Sequence, residues 1–529
     1  MHARGRNRRV GALSGAALLM AGALAGCGGG GGETSGKAAG TPSATAKATA
    51  SATATGGAPA GLPASLTGQR PDWQRCEAPE GGEAPGSAWR CATVKVPLDY
   101  AEPEGRTIGI ALIRRQAQDG QRRLGSLLFN FGGPGGSGVQ VLPRLSASYA
   151  DLNSRYDLVG FDPRGVAASA GVNCRTDQRT EQALKRIDMT PDTAAEEAAF
   201  IEDAADFGAG CAKNSGTVLP HVRTSDAARD MDVLRQVLGD EKLSYFGVSY
   251  GTELGGTYAH LFPQHVGRTV LDAVVDPTAD TVGHAEHQAF GFQRALENYL
   301  KDRGEDPEAG TQRIVRLLRK IDAKPLPTDS GRTLNESLAI TGIVTPLYAR
   351  SSWPMLAQAL DEAQNNGTGN GLLQLADSYN GRDEQGRYDT QAHSQRAISC
   401  ADSSDRPTVE QARALLPAFR KLSPVFGPFL AWDTAGWCAR WPVPGERTTP
   451  VASAPGAGPV LVIGTTGDPA TPYEGAQRMA DELGEGVGVM ITNKGEGHGS
   501  YGESRCVTSL VDAYFLNGKV PADRTVCTA

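Results

Sequence analysis

The chain has 529 residues, 40% of them hydrophobic, which is ample for one large domain with an insertion or for two domains. Its 52 Lys and Arg against 59 Asp and Glu leave a net charge of -7. That mild acidity argues against a nucleic-acid partner, whose binding rests on clustered Lys and Arg.

The first residues read as an address. Arg4, Arg6, Arg8 and Arg9 form a basic stretch ahead of apolar, small residues at 10–24. This run is shorter than the roughly 20 residues that span a bilayer, which favours a removable signal over a permanent helix. It ends in Leu24-Ala25-Gly26-Cys27, which resembles a bacterial lipobox. Residues 1–27 are therefore expected to be a lipoprotein signal, cleaved before Cys27 so that the thiol takes a diacylglycerol. The plainer alternative is a secretory signal with a chance cysteine. The expected location is the cell envelope, on the outer face of the cytoplasmic membrane, with contact through the lipid only and shedding as a variant. Residues 28–68 are Gly, Ala, Thr, Ser and Pro with almost no large apolar side chain. Such a segment buries too little surface to order itself, and as a flexible linker it reaches on the order of 35 Å.

Setting Cys27 aside leaves Cys76, Cys91, Cys174, Cys211, Cys400, Cys438, Cys506 and Cys527. An even number in an exported chain predicts disulfides, with spacing alone leaving many pairings open. No two stand at the C-x-x-C spacing of zinc sites, so no metal is expected.

Eight segments read as strands, at residues 93–100, 107–116, 126–131, 157–161, 243–247, 268–275, 459–464 and 487–492. Runs such as Leu127-Leu128-Phe129 and Val460-Leu461-Val462-Ile463 suit a mostly parallel sheet covered on both faces. Ser225 is expected to cap a helix running to Leu238, with Gly239 as its stop. Alternating strand and helix predicts a three-layer α/β sheet. Between Asp276 and Pro459 the alternation lapses into a mostly helical stretch carrying Trp353, Trp432, Trp437 and Trp441. An inserted helical cap at 279–445 is expected, between core segments at 69–278 and 446–529. An independent second domain is the alternative.

Residues 243–251 read as a strand entering G-x-S-x-G, followed by a helical pattern from Thr252 to Leu261. This is the nucleophile turn of the α/β-hydrolase fold, and it assigns Ser249 as nucleophile. A serine hydroxyl needs a base, and the base needs an orienting acid. The fold supplies them in the chain order Ser, acid, His. Gly467-Asp468-Pro469 follows the seventh strand and Gly495-Glu496-Gly497-His498-Gly499 the eighth, which assigns Asp468 and His498. Asp276, at the end of the sixth strand, is the rival acid. Thr471-Pro472-Tyr473-Glu474 has the form of a capping box, with a role beside Asp468 left open. One oxyanion donor is the N–H of Tyr250, and the other belongs to the glycine-rich loop at 132–136. That loop carries neither G-x-G-x-x-G spacing nor a Walker lysine, so no nucleotide cofactor is expected. His284-Ala285-Glu286-His287 lacks a third ligand at a recognisable spacing and is not read as a metal site. The tryptophans read as core, with a substrate wall as the alternative.

The Gly132-Gly133-Pro134-Gly135-Gly136 loop, Gly160-Phe161-Asp162-Pro163-Arg164-Gly165, the Ser249 turn, Gly467-Asp468 and Gly497-His498-Gly499 together resemble the tripeptidyl aminopeptidase group. These are secreted serine peptidases related to prolyl aminopeptidases. The likeness runs from about Trp73 to the C-terminus. It implies Gly133 as the second oxyanion donor and a characteristic C-terminal region after Pro459. With the local spacing it also implies sequential disulfides, Cys76–Cys91, Cys174–Cys211, Cys400–Cys438 and Cys506–Cys527. It implies peptide substrates that lose short peptides, often tripeptides, from free N-termini. Phe131 stands where prolyl aminopeptidases carry histidine. A prolyl aminopeptidase or an ester hydrolase of the same fold remains an alternative, and a non-catalytic peptide-binding lipoprotein is a more distant one. An enzyme that reads a free N-terminus must hold an ammonium group in a covered cleft, where an unpaired cation is costly. Glu253, Asp276 and Asp402 are the candidate carboxylate partners. A monomer without cofactor is expected.

Overall fold

The computed structural model describes residues 61–78 and 83–528; Cys27 and the signal lie outside the described residues. In chain order the strands are β1 (Gln74–Arg75), β2 (Trp89–Pro97), β3 (Thr107–Arg115), β4 (Gly125–Asn130), β5 (Tyr156–Phe161), β6 (Leu243–Val248) and β7 (Val266–Asp272). After these come β8 (Leu326–Pro327), β9 (Thr333–Leu334), β10 (Val460–Gly467), β11 (Gly488–Glu496) and β12 (Thr525–Thr528). Ten of them form one sheet in the order β1-β2-β3-β5-β4-β6-β7-β10-β11-β12. From β5 to β12 every pairing is parallel, and β1, β2 and β3 join antiparallel.

The eight expected strands make up the body of this sheet, an α/β-hydrolase architecture. Successive side chains point to opposite faces, as a period of two requires. Leu128, Val460 and Val462 pack on one face with Met231, Leu254 and Met479 from the helices Thr224–Leu238, Tyr250–Leu261 and Tyr473–Leu483. Leu127, Phe129, Leu461 and Ile463 pack on the other with Val507, Val511 and Phe515 from the helix Arg505–Asn517. The sheet exceeds eight strands by two short edge pieces, β1 and β12. Each is too short to show a hydrophobic period, and each carries or adjoins a disulfide, Cys76–Cys91 or Cys506–Cys527. The other two bridges are Cys174–Cys211 and Cys400–Cys438.

Two sequence expectations need correction. Ser225 is not a cap; the helix begins at Thr224, and Arg223 before it makes no capping bond. The Thr224 N–H instead donates to Asp402 Oδ1 at 2.7 Å, so a carboxylate 178 residues away caps the helix. Gly239 closes the helix with a φ of +80°, as a left-handed stop should. Thr471 likewise caps nothing, since the helix starts at Tyr473 with Pro472 before it.

Eight helices, from Thr281–Asp302 to Gly427–Gly436, lie between β7 and β10. They share an apolar core in which Trp432 is fully buried. An earlier excursion, the helices Asp177–Arg186 and Ala194–Ser215, leaves the sheet and joins them. Phe200 meets Trp432 edge-on at 6.3 Å, and Arg332–Glu181 and Arg413–Glu197 ion pairs lace the two segments together. Among the described residues no helix is long and apolar enough to cross a membrane.

Arg164 is a fully buried charge in the sheet layer, with 0% of its side chain exposed. It donates to Asp230 through Nε at 2.7 Å and Nη2 at 2.6 Å, and to the carbonyls of Pro97, Leu98 and His221. Tyr100 adds a hydrogen bond to Asp230 at 2.7 Å. The cluster pins the end of β2, the loop after β5 and the helix Thr224–Leu238 to one point. Arg164→Met should lower unfolding free energy by about 3–5 kcal/mol, because it strands a buried Asp230 carboxylate. The loss should shrink when Asp230 is replaced by leucine as well. Urea unfolding curves check both, and an unchanged midpoint in Arg164→Met would contradict this role.

Candidate active site

Ser249 occupies the single residue between β6 and the helix Tyr250–Leu261. Its backbone sits at φ +58°, ψ -129°, a conformation that side chains rarely adopt. The turn closes only because its neighbours are glycines. A Cβ on Gly251 would lie 2.5 Å from the Asn130 carbonyl oxygen, and one on Gly132 would lie 2.7 Å from Ser249 Cβ. Gly132 belongs to the loop after β4, which is thereby pressed against the nucleophile.

That loop is held from both ends. Asn130 Oδ1 accepts the Gly132 N–H at 2.9 Å. Farther along, Asp162 accepts from Ser137 Oγ at 2.6 Å and from the Val139 N–H at 3.1 Å, fixing the start of the helix Gly138–Leu145. Burial pushes Asp162 up to about 6, opposed by these hydrogen bonds. Gly133 and Tyr250 both line the cleft beside Ser249. The Gly133 N–H donates to no other group among the described residues. Tyr250 is the first helical residue, whose N–H has no partner within the helix. Two backbone N–H groups with no acceptor among the described residues, and a helix N-terminus, therefore stand on the same cleft wall as Ser249, a set of donors suited to an oxyanion.

Asp468 and His498 leave the ends of neighbouring parallel strands. β10 and β11 stay in register up to the pair Gly467 and Glu496, which brings the two loops out side by side. Asp468 is fully buried. Its Oδ1 accepts the N–H groups of Ala470 and Thr471 at 3.0 and 2.9 Å. His498 Nδ1 lies 2.9 and 3.0 Å from the two carboxylate oxygens. With a carboxylate as acceptor, Nδ1 carries the proton and the Nε2 lone pair is left free to act as base. The Thr471 hydroxyl donates to Asp468 Oδ2 at 3.1 Å and lies 3.3 Å from His498 Nδ1. It therefore braces the acid–base pair, and Glu474 faces Arg294 at 3.6 Å instead of completing a capping box.

Asp272 fell inside the strand expected at residues 268–275 and gave no signal; the strand in fact ends at Asp272. Its backbone carbonyl accepts the Ser249 N–H at 3.1 Å. Its buried carboxylate accepts from the Ser500 N–H, the Tyr501 N–H and Ser500 Oγ at 2.9, 2.9 and 3.0 Å. One residue thus ties the nucleophile turn to the histidine loop. The cap braces the same pair from above. The His498 N–H donates to the Tyr348 carbonyl at 2.8 Å, the Tyr348 ring stands edge-on to the imidazole at 5.4 Å, and Arg294 donates to the Asp468 carbonyl at 3.1 Å.

The three candidate carboxylates fare differently. All line the cleft with Ser249. Asp276 is already paired with Arg478 at 2.5 Å, with His287 at 3.3 Å beside it. Burial would raise its carboxyl, but the Arg478 and Thr278 hydrogen bonds hold it below the usual carboxylate range. It is therefore neither the triad acid nor free for a substrate cation. Asp402 accepts both donors of Thr224, yet its carboxyl is pushed up to about 7 by burial. Glu253 accepts no hydrogen bond from the described residues, and burial followed by the charge of Asp402 pushes it up to about 8. Glu446 and Arg447 complete this end of the cleft. Trp437 lines the cleft and is half-buried, whereas Trp353, Trp432 and Trp441 are core. Phe131 packs between Phe129 and Tyr149.

The arrangement suits acyl transfer. In such a reaction the imidazole would take the Ser249 proton as Oγ attacks a carbonyl, and the two N–H donors would meet the oxyanion. The imidazolium would then give its proton to the leaving amine or alcohol as that bond breaks, and water would hydrolyse the acyl-enzyme. Ser249→Ala should leave a folded protein that neither takes a fluorophosphonate nor turns over substrate above about 0.1% of wild type. Asp272→Ala should unseat the histidine loop, lowering kcat at least about tenfold and costing about 1–3 kcal/mol of stability through the stranded N–H groups. Labelling of a different serine, or wild-type kcat in Asp272→Ala, would contradict these roles.

Comparison with known proteins gives the chain a family and relatives of named activity. Residues 423–527 match the family described as TAP-like protein. The chain is 36% identical over 495 residues to the serine protease Hip1 of Mycobacterium tuberculosis, covering 87% of this chain and 91% of that one. It is 32% identical over 494 residues to a tripeptidyl aminopeptidase of Streptomyces lividans, covering 86% of each. A carboxylesterase B of Mycobacterium tuberculosis is 35% identical over 456 residues, covering 83% of this chain and 86% of that one. The chain belongs to the tripeptidyl aminopeptidase-like family and is a serine hydrolase of the α/β-hydrolase fold.

Proposed function

We propose that this hydrolase is an exported, lipid-anchored exopeptidase that releases short peptides, tripeptides by family likeness, from free N-termini. The observation that carries the reading is Glu253. It stands one helical turn past the nucleophile, about 6 Å along the helix axis, on the wall of the same cleft. Glu253 is half-buried and accepts no hydrogen bond from the described residues. Arg447 lies near it but is paired with Glu446 at 2.7 Å, so carboxylates outnumber cations at this end of the cleft and a further cation would be stabilised there. A substrate ammonium group supplies that cation, with Asp402 beside it. The named activities of the Mycobacterium and Streptomyces relatives, a serine protease and a tripeptidyl aminopeptidase, support a peptide substrate. The carboxylesterase relative makes an ester hydrolase the second reading.

Glu253→Gln should lower kcat/KM for a tripeptide anilide about 10- to 100-fold, the loss of one charge-assisted hydrogen bond, while leaving the N-acetyl analogue little changed. Equal hydrolysis of free and acetylated substrates by the wild type would favour the ester hydrolase. The pH dependence follows from the raised carboxyls. Below about 7 to 8 the pair is partly protonated and neutral, so it holds ammonium poorly. The ratio of kcat/KM for free over acetylated peptide should therefore rise with pH from about 6 to 7.5 and then level or fall, because the substrate ammonium itself is lost above about 7.7–8.0; His498 cancels because both substrates use it. A flat ratio would contradict the amino-group reading.

Anchoring rests on the lipobox-like Leu24-Ala25-Gly26-Cys27 and the small-residue linker behind it. Mass spectrometry of the mature protein should find Cys27 first and diacylated. A mature N-terminus well beyond Cys27 with no acyl mass would contradict the anchor.

A further inference from the structure

Two buried side chains, Thr224 and Tyr250, and the half-buried Asp402 join the acidic end of the cleft to the nucleophile turn. The Thr224 hydroxyl donates to Asp402 Oδ2 at 2.6 Å, and its N–H donates to Oδ1 at 2.7 Å. With that hydroxyl proton committed, Thr224 Oγ1 can only accept from the Tyr250 phenol, 2.6 Å away. The order is therefore Tyr250 to Thr224 to Asp402, all donors pointing toward the carboxylate. Burial, followed by the charges of Asp402 and Glu253, raises the Tyr250 phenol well above its ordinary value, which keeps it a donor. The three residues come from three elements: the start of the helix Thr224–Leu238, the start of the helix Tyr250–Leu261 and the end of the cap helix Gln391–Asp402. Asp402 is itself fixed through its carbonyl, which accepts from the Glu446 and Arg447 N–H groups at 3.0 and 2.9 Å.

We infer that Thr224 is a positioning residue that couples recognition of a substrate ammonium group at Glu253 and Asp402 to the placement of the Tyr250 oxyanion donor. The inference rests on the amino-group reading of those carboxylates. Tyr250 carries both ends of the coupling, since its side chain joins the chain of hydrogen bonds and its N–H faces the oxyanion. A ring tethered through its hydroxyl restricts rotation of the residue at the first position of the helix, where no intrahelical bond holds the N–H. A cation beside Asp402 holds its carboxyl ionised, and an ionised carboxylate binds the two Thr224 donors more strongly than a protonated one does. A substrate without a free amine leaves the carboxylates prone to protonation, and the tether slackens. Selectivity then resides partly in kcat and not only in binding.

The test is a double-mutant cycle on the full chain with a tripeptide anilide and its N-acetyl form. Thr224→Val removes the hydroxyl and keeps the N–H to Asp402. It should lower kcat for the free peptide about tenfold with KM changed much less, the worth of one hydrogen bond to a charged group. Tyr250→Phe should match it, and the double variant should be no slower than either single one, since both break the same chain. Thr224→Ser, which restores the hydroxyl, should return kcat to within about twofold of wild type. Selectivity for the free over the acetylated peptide should fall about tenfold in Thr224→Val. Additive losses in the double variant, or equal slowing of both substrates, would overturn the coupling while leaving the amino-group reading intact. Failure of the wild type to discriminate the two substrates would overturn that reading and the coupling with it. Because Thr224→Ser and Tyr250→Phe change only a methyl group and a hydroxyl, the cycle remains readable even if the valine variant folds poorly.

Discussion

A serine hydroxyl presented at the sheet edge requires Ser249 to hold a positive φ, and most of the surrounding structure serves that constraint. A non-glycine residue in such a region costs on the order of 1–3 kcal/mol and persists only where its neighbours over-determine it. Here β6 delivers the chain from one side and the helix Tyr250–Leu261 carries it away on the other. Gly132 and Gly251 supply the clearance. The Asp272 carbonyl takes the Ser249 N–H, and the carboxylate of the same residue takes three donors from Ser500 and Tyr501. The strain at the nucleophile and the placement of the histidine loop are thus two consequences of one buried residue at the end of β7.

The helical cap shares in this arrangement. Its Tyr348 and Arg294 touch the backbone of His498 and Asp468, and its Asp402 caps a helix of the sheet layer. Each contact crosses between cap and core, so neither layer positions the chemistry alone. The cleft between them has a donor-rich end at Gly133 and Tyr250 and an acidic end at Glu253, Asp402 and Glu446. That polarity suits a carbonyl at one end of a substrate and a cation at the other. It also explains why Asp276, though on the same wall, plays a different part, because Arg478 already neutralises it.

The sheet and the positions of Ser249, Asp468 and His498 were legible in the sequence because glycine-bounded turns and a fixed chain order mark them. What escaped was non-local. Thr471-Pro472-Tyr473-Glu474 spells a capping box, but the hydroxyl turns back to Asp468. Ser225 looked like a helix cap because the true cap, Asp402, stands 178 residues away. Asp272 read as an interior position of the strand expected at 268–275, and its carboxylate gained meaning only when the loop after β11 came to rest on it. Ranking Glu253 above Asp276 required knowing which carboxylates already have partners, a fact of packing and not of pattern. The excursion at 177–215 was hidden for a similar reason. Its Ala-rich helix Ala194–Ser215 shows its purpose only where Phe200 meets Trp432.

The proposed chemistry requires a covalent acyl intermediate on Ser249, formed from a peptide whose amino group is free. Rapid acid quenching of the enzyme with a tripeptidyl ester, followed by intact-mass measurement and peptide mapping, tests it most directly. A mass gain of one tripeptidyl group is expected, carried by the peptide containing Ser249 and abolished by Ser249→Ala. An acyl group mapped to another residue, or acylation that persists in the alanine variant, would contradict it.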